Sequence, residues 1–311
     1  MAQARALVIG EALIDIVPSG SQTKELPGGS PMNVAIALGR LGRQVELATW
    51  VGRDARGQAI RDHLAASQVA LAPGSDGAER TSTATVALDA SNQAQYAFDL
   101  HWDFQPPGAA KTLAEAFAVL HTGSLATVVE PGAAKVAALL QSLAQLPDAA
   151  PTLAYDPNLR PALAPDPAAL RPGVEALAAA ADLVKASDED LRFLYPGEDP
   201  EAVARRWADL GPALVVLTRG GAGAIAFAGP ITLNAQAKRS AVVDTVGAGD
   251  TFMGGLIDGL WSLGLVGAAA RPRLRAITET QLLRAMDRAA AAAAVTVSRA
   301  GANPPWASEL A

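Results

Sequence analysis

The run Asp244–Asp250, with the sequence Asp-Thr-Val-Gly-Ala-Gly-Asp, combines small residues with two carboxylates. Three of its residues carry almost no side chain, so that their backbone N–H groups can close on an anion: Gly247, Ala248 and Gly249. The apolar stretch Thr251–Leu263 predicts a helix, whose positive N-terminal end would hold those N–H groups. Asp250 stands at the same end, where it could take a proton from a hydroxyl that then attacks phosphorus. The run therefore predicts phosphoryl transfer to an alcohol, and a helix cap with a tight turn is the alternative.

A second glycine-containing run, Gly28-Gly29-Ser-Pro-Met-Asn33, comes before a predicted helix. Its two glycines permit a close approach of the backbone. The amide of Asn33 offers both a donor and an acceptor, which suits a pair of sugar hydroxyls. On its own, an Asn or Ser at such a place is more typical of a helix cap.

The two runs resemble the two signatures of the ribokinase-like sugar kinases, the PfkB group, and they occur in the order of that family. The resemblance covers essentially the whole chain. In the family, the second Asp of the C-terminal signature is the base and the preceding amides form the anion hole. The resemblance therefore implies that Asp250 is the base and that the amides of Gly247–Gly249 hold the transferred phosphoryl group. It also implies that Gly28, Gly29 and Asn33 bind the sugar.

Three more residues are expected to face the sugar. Asp15 leaves a predicted strand, where a carboxylate can accept from two vicinal hydroxyls, and it takes the place of the family's sugar-binding Asp. The string Asp156-Pro-Asn-Leu-Arg160 is similar to the Asp-x-Asn-x-Arg of fructokinases and 2-keto-3-deoxygluconate kinases, which implies that Arg160 faces the substrate. Asn158 could reach the same pocket. Phe98, in the lid predicted below, is the third. A solvated turn residue and a surface arginine are the alternatives for Asp15 and Arg160.

The resemblance also implies a set of residues that bind ATP: Lys185, Ser187, Thr218, Gly220, Gly223, Gly247, Gly249 and Asn303. Lys185 can act on the phosphates as a point charge. Ser187 and Asp190 take the place of the family's Asn-x-x-Glu element, which organises Mg²⁺ and phosphates through water, so that Asp190 is expected to act on Mg²⁺ in this way. The same two residues are typical of a helix N-cap. In relatives, the residue corresponding to Asp244 can hold a potassium ion together with a loop near the C-terminus.

Two further sequence features concern the predicted nucleotide site. The segment Thr218–Gly223 resembles the family's glycine-rich nucleotide loop, and a plain β-turn is the alternative. Many relatives carry an Asn near Ala290, so the contacts to adenine are left open by the sequence.

Short apolar runs alternate with Ala/Leu-rich segments along the chain. The predicted strands are Ala6–Ile9, Val45–Trp50, Val119–Thr122, Leu153–Asp156, Leu183–Ala186 and Leu214–Thr218. The predicted helices between them are Asn33–Leu41, Gly57–Ser67, Pro131–Leu146, Pro167–Ala181 and Asp188–Tyr195. This alternation predicts an α/β fold with a mainly parallel sheet, helices on both faces and ligands at the carboxyl ends of the strands. The family resemblance implies a three-layer α/β/α sandwich, formed here by a single domain over residues 1–311.

One region interrupts the alternation. Thr81–Leu88 and Gln95–Leu100 predict two strands joined by the turn Asp89–Asn92. Together with Leu13–Val17 and Lys24–Leu26 they predict a small antiparallel sheet inserted in the fold, over about residues 11–27 and 81–102. A lid that keeps water from the transferred phosphoryl group is one interpretation, and an ordinary edge hairpin is the other. Many relatives form homodimers through such a lid sheet.

Composition excludes several classes of protein. The chain has 311 residues, 50% apolar content and a net charge of −6, which is unlike a nucleic-acid-binding protein. It lacks Cys, a P-loop pattern and a G-x-G-x-x-G after the first strand, which excludes thiolate chemistry and argues against a dinucleotide oxidoreductase. The apolar stretch Phe252–Ala270 begins inside the anion-binding run, so we expect a core helix rather than a membrane span. These features predict a cytoplasmic protein with small-molecule partners.

The sequence favours a neutral sugar as the acceptor. An acidic keto sugar needs cationic partners for its carboxylate, and the lid segment Tyr96–His101 contains no Arg, which leaves Arg160 alone. Fructose is therefore the expected acceptor and 2-keto-3-deoxygluconate the alternative. A binding protein without catalytic activity on the same fold is the alternative from another class, and the presence of Asp250 and of the glycines argues against it.

Overall fold

The structure is a computed structural model that describes residues 5–19, 22–88, 94–146 and 149–310, so the predicted turn Asp89–Asn92 lies outside it. The strands are β1 (Arg5–Ile9), β2 (Leu13–Ser19), β3 (Gln22–Gly28), β4 (Gln44–Ala48), β5 (Val69–Leu71), β6 (Thr83–Leu88), β7 (Ala94–Asp99), β8 (Val119–Gly123), β9 (Thr152–Asp156), β10 (Leu183–Ser187), β11 (Leu214–Thr218), β12 (Ala224–Ala228) and β13 (Ile231–Ala235). The α-helices are α1 (Ser30–Arg40), α2 (Ala55–Ala66), α3 (Ala110–Ala116), α4 (Gly132–Ala144), α5 (Pro167–Ala180), α6 (Asp188–Leu194), α7 (Pro200–Ala208), α8 (Ala248–Ser262), α9 (Arg271–Arg275) and α10 (Glu279–Val297).

Among the described residues, nine strands form a central sheet in the order β13-β12-β11-β10-β9-β8-β1-β4-β5. The pairs from β11 to β5 are parallel, whereas β12 and β13 run antiparallel at one edge. The six strands predicted from the sequence all lie in this sheet. The sequence did not predict β5, β12 and β13, because β5 is short and β12 is rich in Ala, which is depleted in strands.

The central sheet is covered on both faces. Side chains of a strand alternate between the faces, and on β1 Ala6 and Val8 belong to the core that contains α1, α8 and α10, whereas Leu7 and Ile9 belong to the core with α4. On β11 the residues alternate in the same way between α8 and α10 on one side and α5 to α7 on the other. The fold is therefore the expected three-layer α/β/α sandwich. All five predicted helices are present, although α1 begins three residues earlier than Asn33, at Ser30.

A second, smaller sheet has the strand order β3-β2-β6-β7 among the described residues. The prediction that it is purely antiparallel was wrong, because β2 and β6 pair in parallel through Ile14, Asp15 and Ile16. Both strands leave the main body from the same edge and run in the same direction, whereas β3 and β7 return toward it as the second arms of hairpins. In size and placement this sheet is the predicted inserted β-sheet.

The apolar segment after the anion-binding run forms most of helix α8, which is buried from Asp250 to Leu260 and exposed only at its two ends. Small residues let it pack closely, because a Cβ on Gly255 or Gly259 would lie 2.9 Å from the Cα atoms of Ala289 and Ala285 on α10. No helix within the described ranges is both long and apolar enough to span a membrane. The close packing against α10 therefore requires these two glycines.

One buried carboxylate connects α8 to two neighbouring segments, and its removal is expected to lower stability. Asp258 is 1% exposed and accepts from Arg43 Nε at 2.6 Å and from Arg288 Nε at 2.8 Å. Asp258→Ala leaves both guanidinium groups without their carboxylate, and we expect the free energy of unfolding to fall by about 3 kcal/mol. Urea denaturation measures this change. The control is Asp76→Ala in the exposed pair with Arg53, where we expect a loss below about 1 kcal/mol. Equal losses would contradict a structural role for Asp258.

Candidate active site

The N-terminus of α8, called the nest below, is the predicted anion-binding segment. Gly247 precedes the helix with a φ of 72°, in the left-handed region, and a Cβ there would lie 2.5 Å from Ala302 Cβ. The N–H of Ala248 donates to Thr245 O at 3.2 Å. Within the described part of the chain, no acceptor is in place for the N–H groups of Gly249 and Asp250. These two amides, at the positive end of the helix, can therefore bind an anion.

Asp250 lies in the first turn of α8 and is 7% exposed. Its Oδ1 accepts from Ser30 Oγ at 2.7 Å and from Asn158 Nδ2 at 3.3 Å, and its Oδ2 accepts from Asn33 Nδ2 at 2.8 Å. A carboxylate has about four lone-pair sites, so these three donors leave one site on Oδ2. Asp250 is thus fixed in orientation and able to accept one more hydrogen bond, next to the nest.

Helix α1 and the loop after β9 bring these donors to Asp250. Gly29 precedes α1 with a φ of 119°, and a Cβ on it would lie 2.4 Å from Glu11 O, so the start of α1 packs closely against the segment after β1. Ser30 and Asn33 lie on the first turn of α1. Asn158 follows β9 in the left-handed region, with a φ of 36°, and its Nδ2 also donates to Ser30 Oγ at 2.6 Å. Ser30 lies inside the Gly-Gly run but was not among the site residues predicted from the sequence.

The predicted sugar-binding residues Asp15 and Gly28 lie in contact on β2 and β3. A Cβ on Gly28 would lie 2.0 Å from Asp15 Oδ2, so only glycine leaves room for this carboxylate. Burial raises the pKa of Asp15 to about 6, and the positive charge of Arg160 opposes that rise. Arg160 is exposed, and its Nη1 donates to Asn158 Oδ1 at 2.6 Å. Asn158 therefore lies between the predicted sugar-facing arginine and Asp250.

A buried acid that the sequence analysis did not single out, Glu11, lies in the same region. Its Oε2 accepts from Ala126 N at 3.2 Å. Burial raises the pKa of Glu11 to about 7, against the hydrogen bond from Ala126 N and against the charge of Arg160. The signal in the sequence was its position directly after β1, at the carboxyl edge of the sheet. Phe98, on β7, is half-buried and packs against a small apolar cluster with Leu13.

Lys185 lies in the middle of β10, with its ammonium beside the nest. It is 3% exposed, and a Cβ on Gly249 would lie 3.5 Å from its Nζ. Burial by itself lowers the pKa of Lys185, but the carboxylates of Asp156, Asp190 and Asp250 raise it above its ordinary value. The ammonium is therefore charged at neutral pH and close to the amides that can bind an anion.

Ser187 and Asp190 form a capping box at the start of α6, as the alternative interpretation expected. Ser187 Oγ and Ser187 N both donate to Asp190 Oδ2, at 2.6 Å and 2.9 Å. Asp190 Oδ1 accepts from Leu159 N at 2.7 Å, which ties α6 to the loop after β9. Both oxygens of Asp190 thus have protein donors, and the predicted role on Mg²⁺ through water stays a prediction.

The remaining predicted nucleotide residues lie at the end of β11, in the turn after it and in the loop after α10. Thr218 Oγ1 donates to Ala186 O at 3.4 Å. Gly220 and Gly223 have φ angles of 50° and 87°, and a Cβ on Gly223 would lie 2.1 Å from Ala235 O, so the turn after β11 requires glycine. Asn303 Oδ1 accepts from Arg40 Nη1 at 2.6 Å, which engages this side chain inside the protein. The backbone at Gly220 is therefore exposed, whereas the side chain of Asn303 is already hydrogen-bonded within the protein.

Asp244, the candidate for potassium, connects two loops. Its Oδ1 accepts from Val246 N at 3.0 Å and its Oδ2 from Gly301 N at 2.8 Å. These hydrogen bonds hold the pKa of Asp244 below its ordinary value. Within the described ranges, no group of three or more His, Cys, Asp or Glu residues is placed to hold a metal ion.

A sandwich fold with a buried carboxylate beside the nest fits a phosphotransferase with an alcohol as acceptor. Residues 3–309 match the pfkB family of carbohydrate kinases, and the chain belongs to this family. It is accordingly a sugar kinase.

Relatives from several organisms are similar over most of the chain. A fructokinase from Rhizobium leguminosarum bv. trifolii is 34% identical over 265 residues, covering 82% of this chain and 79% of the relative. The structure of a fructokinase from Xylella fastidiosa with bound ATP is similar with a TM-score of 0.79 and 23% identity, covering 98% and 96% of the two chains. A double mutant of the fructokinase from Vibrio cholerae O395, with fructose, ADP and a potassium ion bound, has a TM-score of 0.75 and 28% identity over 96% of this chain and 94% of that one.

Proposed function

We propose that the protein transfers the γ-phosphoryl group of ATP to the primary hydroxyl of fructose and forms fructose 6-phosphate. The observation that carries the proposal is the buried Asp250, which has one lone-pair site left on Oδ2 and lies next to two amides that have no acceptor among the described residues. The relatives named as fructokinases support the choice of acceptor. A cytoplasmic location is part of the same proposal.

In the proposed mechanism, Asp250 Oδ2 accepts the proton of the acceptor hydroxyl as the sugar oxygen attacks phosphorus. Ser30, Asn33 and Asn158 orient the carboxylate throughout. The amides of Gly249 and Asp250 donate to the oxygens of the phosphoryl group, whose charge they stabilise in a site of low dielectric. Mg²⁺, held by the ATP phosphates, supplies further neutralisation of that charge when it is bound.

The electrostatics of the sugar side favour a neutral acceptor. Asp15 and Glu11 place two acidic groups near one cation, Arg160. A substrate carboxylate would have to share Arg160 with both acids, which costs free energy in a partly buried site. This balance supports fructose over 2-keto-3-deoxygluconate.

Two further parts of the proposal come from the family. A potassium ion would lie near Asp244, whose hydrogen bonds already bring the loops before α8 and after α10 together. A homodimer would form through the small sheet, whose outer strand β3 is exposed over most of its length. Potassium dependence of the rate and sedimentation analysis test the two parts separately.

ADP release from Mg-ATP with a panel of sugars tests the proposed function. We expect the highest kcat/KM with fructose, and lower values with glucose, ribose and 2-keto-3-deoxygluconate. A preference for the acidic sugar would overturn the choice of acceptor. Binding of ATP and sugar without turnover of any panel member would favour a binding protein.

The affinity for fructose is expected to depend on the ionisation of Asp15. The pKa of Asp15 is raised to about 6, so the carboxylate that accepts from sugar hydroxyls is lost as the pH falls through about 6. Hydrogen bonds to a charged group contribute about 1.5–3 kcal/mol, so Asp15→Asn should weaken fructose binding by about tenfold or more. Calorimetric titration with fructose over a range of pH measures both effects. Glu11→Gln separates the titration of Glu11, whose pKa is about 7. A pH dependence that persists unchanged in Asp15→Asn would contradict this assignment.

A further inference from the structure

A lysine and an aspartate are buried side by side at the carboxyl edge of the central sheet. Lys185 is 3% exposed and Asp156 is 1% exposed, and Lys185 Nζ lies 3.0 Å from Asp156 Oδ2. Tyr155 on β9 is paired with Val184 on β10, so Asp156 and Lys185 are the next neighbours along two parallel strands. The sheet itself therefore fixes the pair.

Stability alone does not explain this pair. Burying two charges costs several kcal/mol for each ion, and an apolar pair of similar volume is often as stable or more stable. The buried Asp182 has a clear structural role, because it accepts from Leu153 N at 3.0 Å as well as pairing with Arg271. Asp156 receives no well-aligned hydrogen bond from any described residue. Its contact is the ammonium of Lys185.

The pair lies directly under the N-terminus of α8. Leu183 and Ala154, two residues earlier on the same strands, belong to the core that contains α8, and side chains two residues apart point to the same face. The 3.5 Å distance between Lys185 Nζ and the position that a Cβ on Gly249 would take agrees with this placement. The ammonium thus lies between Asp156 on the sheet and the amides of the nest.

We propose that Asp156 is a positioning residue that holds the ammonium of Lys185 against the nest, where it donates to the phosphoryl group being transferred. The inference rests on the proposed function. An ammonium has three N–H donors, and Asp156 engages one side of it and leaves the others for phosphate oxygens. Neither residue gains or loses a proton in the reaction. The phosphoryl group moves from ATP to the sugar oxygen, and the proton of the hydroxyl goes to Asp250.

The long side chain of Lys185 explains why it needs a fixed partner. A lysine has several rotatable bonds and loses considerable entropy when it is held in one place. Asp190 and Asp250 also act on its charge. Without Asp156, the ammonium would be free to pair with Asp250 and would compete with the sugar hydroxyl for the base. Asp156 therefore keeps the cation near the phosphates and away from the base.

Positioning and simple charge effects predict opposite results for Asp156→Asn. If Asp156 were only a negative charge near the phosphates, its removal would tighten the binding of ATP and raise the rate. If it positions Lys185, its removal weakens the binding of ATP. We expect kcat to fall by about 10²-fold, as for the loss of a donor to the developing charge, and KM for fructose to stay close to that of the wild type.

A double-mutant cycle tests the inference. The variants are Asp156→Asn, Lys185→Met and the two combined, and the measurements are kcat, KM for fructose and the affinities for Mg-ATP and AMP. We expect both single variants to weaken Mg-ATP binding by about tenfold or more and to leave AMP binding unchanged, because AMP lacks the β- and γ-phosphates. The combined variant should be no worse than Lys185→Met, because Asp156 acts only through Lys185.

Asp182→Asn is the matched control, since it also removes the charge of a fully buried aspartate that pairs with a cation. We expect Asp182→Asn to lower the melting temperature and to leave the affinity for Mg-ATP close to that of the wild type. Should Asp156→Asn fail to fold, Asp156→Leu combined with Lys185→Met removes both charges, and its affinity for Mg-ATP should equal that of Lys185→Met.

Additive losses in the cycle, or tighter binding of ATP by Asp156→Asn, would overturn the positioning role. A wild-type protein that binds ATP but phosphorylates no sugar would refute the proposed function, while the comparison of ATP with AMP would still decide the role of Asp156. A wild-type protein that does not bind ATP would overturn both.

Discussion

Asp250→Asn is expected to lower kcat by at least ~10³-fold, because it removes both the general base and a charged group at the reacting centre, and each of these contributes to the rate. The substitution removes the proton acceptor and keeps the size of the side chain. Ser30, Asn33 and Asn158 can rotate to hydrogen-bond with an amide, so the fold and the affinity for fructose should remain. Steady-state kinetics with fructose and Mg-ATP measures kcat, and calorimetry measures the binding of fructose.

The matched control for this variant is Asp258→Asn, on the same helix and equally buried, but paired with arginines away from the nest. It should lower stability and leave kcat close to that of the wild type. A near-normal rate in Asp250→Asn would exclude Asp250 as the base. A low rate with an equal loss of fructose affinity would instead indicate a binding role.

Gly247→Ala is expected to lower kcat by about 10²–10³-fold, the effect of removing a donor from an anion hole. Gly247 has a left-handed φ of 72°, which costs other residues roughly 1–2 kcal/mol. Its new Cβ would also lie 2.5 Å from Ala302 Cβ, so either the loop or the start of α8 must move. The amides of the nest would shift with it. Steady-state kinetics and the affinity for Mg-ATP, measured together, should both show the loss.

Gly264→Ala separates the displacement of the nest from backbone strain. Gly264 follows the C-terminus of α8 with a similar φ of 68°, and a Cβ there would meet no atom within 4 Å. This control should lose a comparable amount of stability and keep its rate. If both variants lost activity to the same extent, general destabilisation would explain the loss in Gly247→Ala.

The fold was largely predictable because its signals are local. The six predicted strands are short apolar runs that are buried on both faces, and such runs favour a parallel sheet. The pairing of β2 with β6 was not predictable in this way, since parallel and antiparallel neighbours have the same pattern of side chains. The Ala-rich strand β12 was missed because its composition is closer to that of the helices of this chain.

For the site, the sequence alone was enough to predict the residues that lie together in one continuous stretch of backbone. Gly247, Gly249 and Asp250 share a helix start, so their nest follows from local geometry and from the helix dipole. The tertiary structure decided which distant side chains meet there. The contacts of Ser30 and Asn158 with Asp250, of Asp156 with Lys185, and of Arg40 with Asn303 join residues far apart in the chain. Strand order and helix packing set such contacts, and residue types alone do not encode them locally.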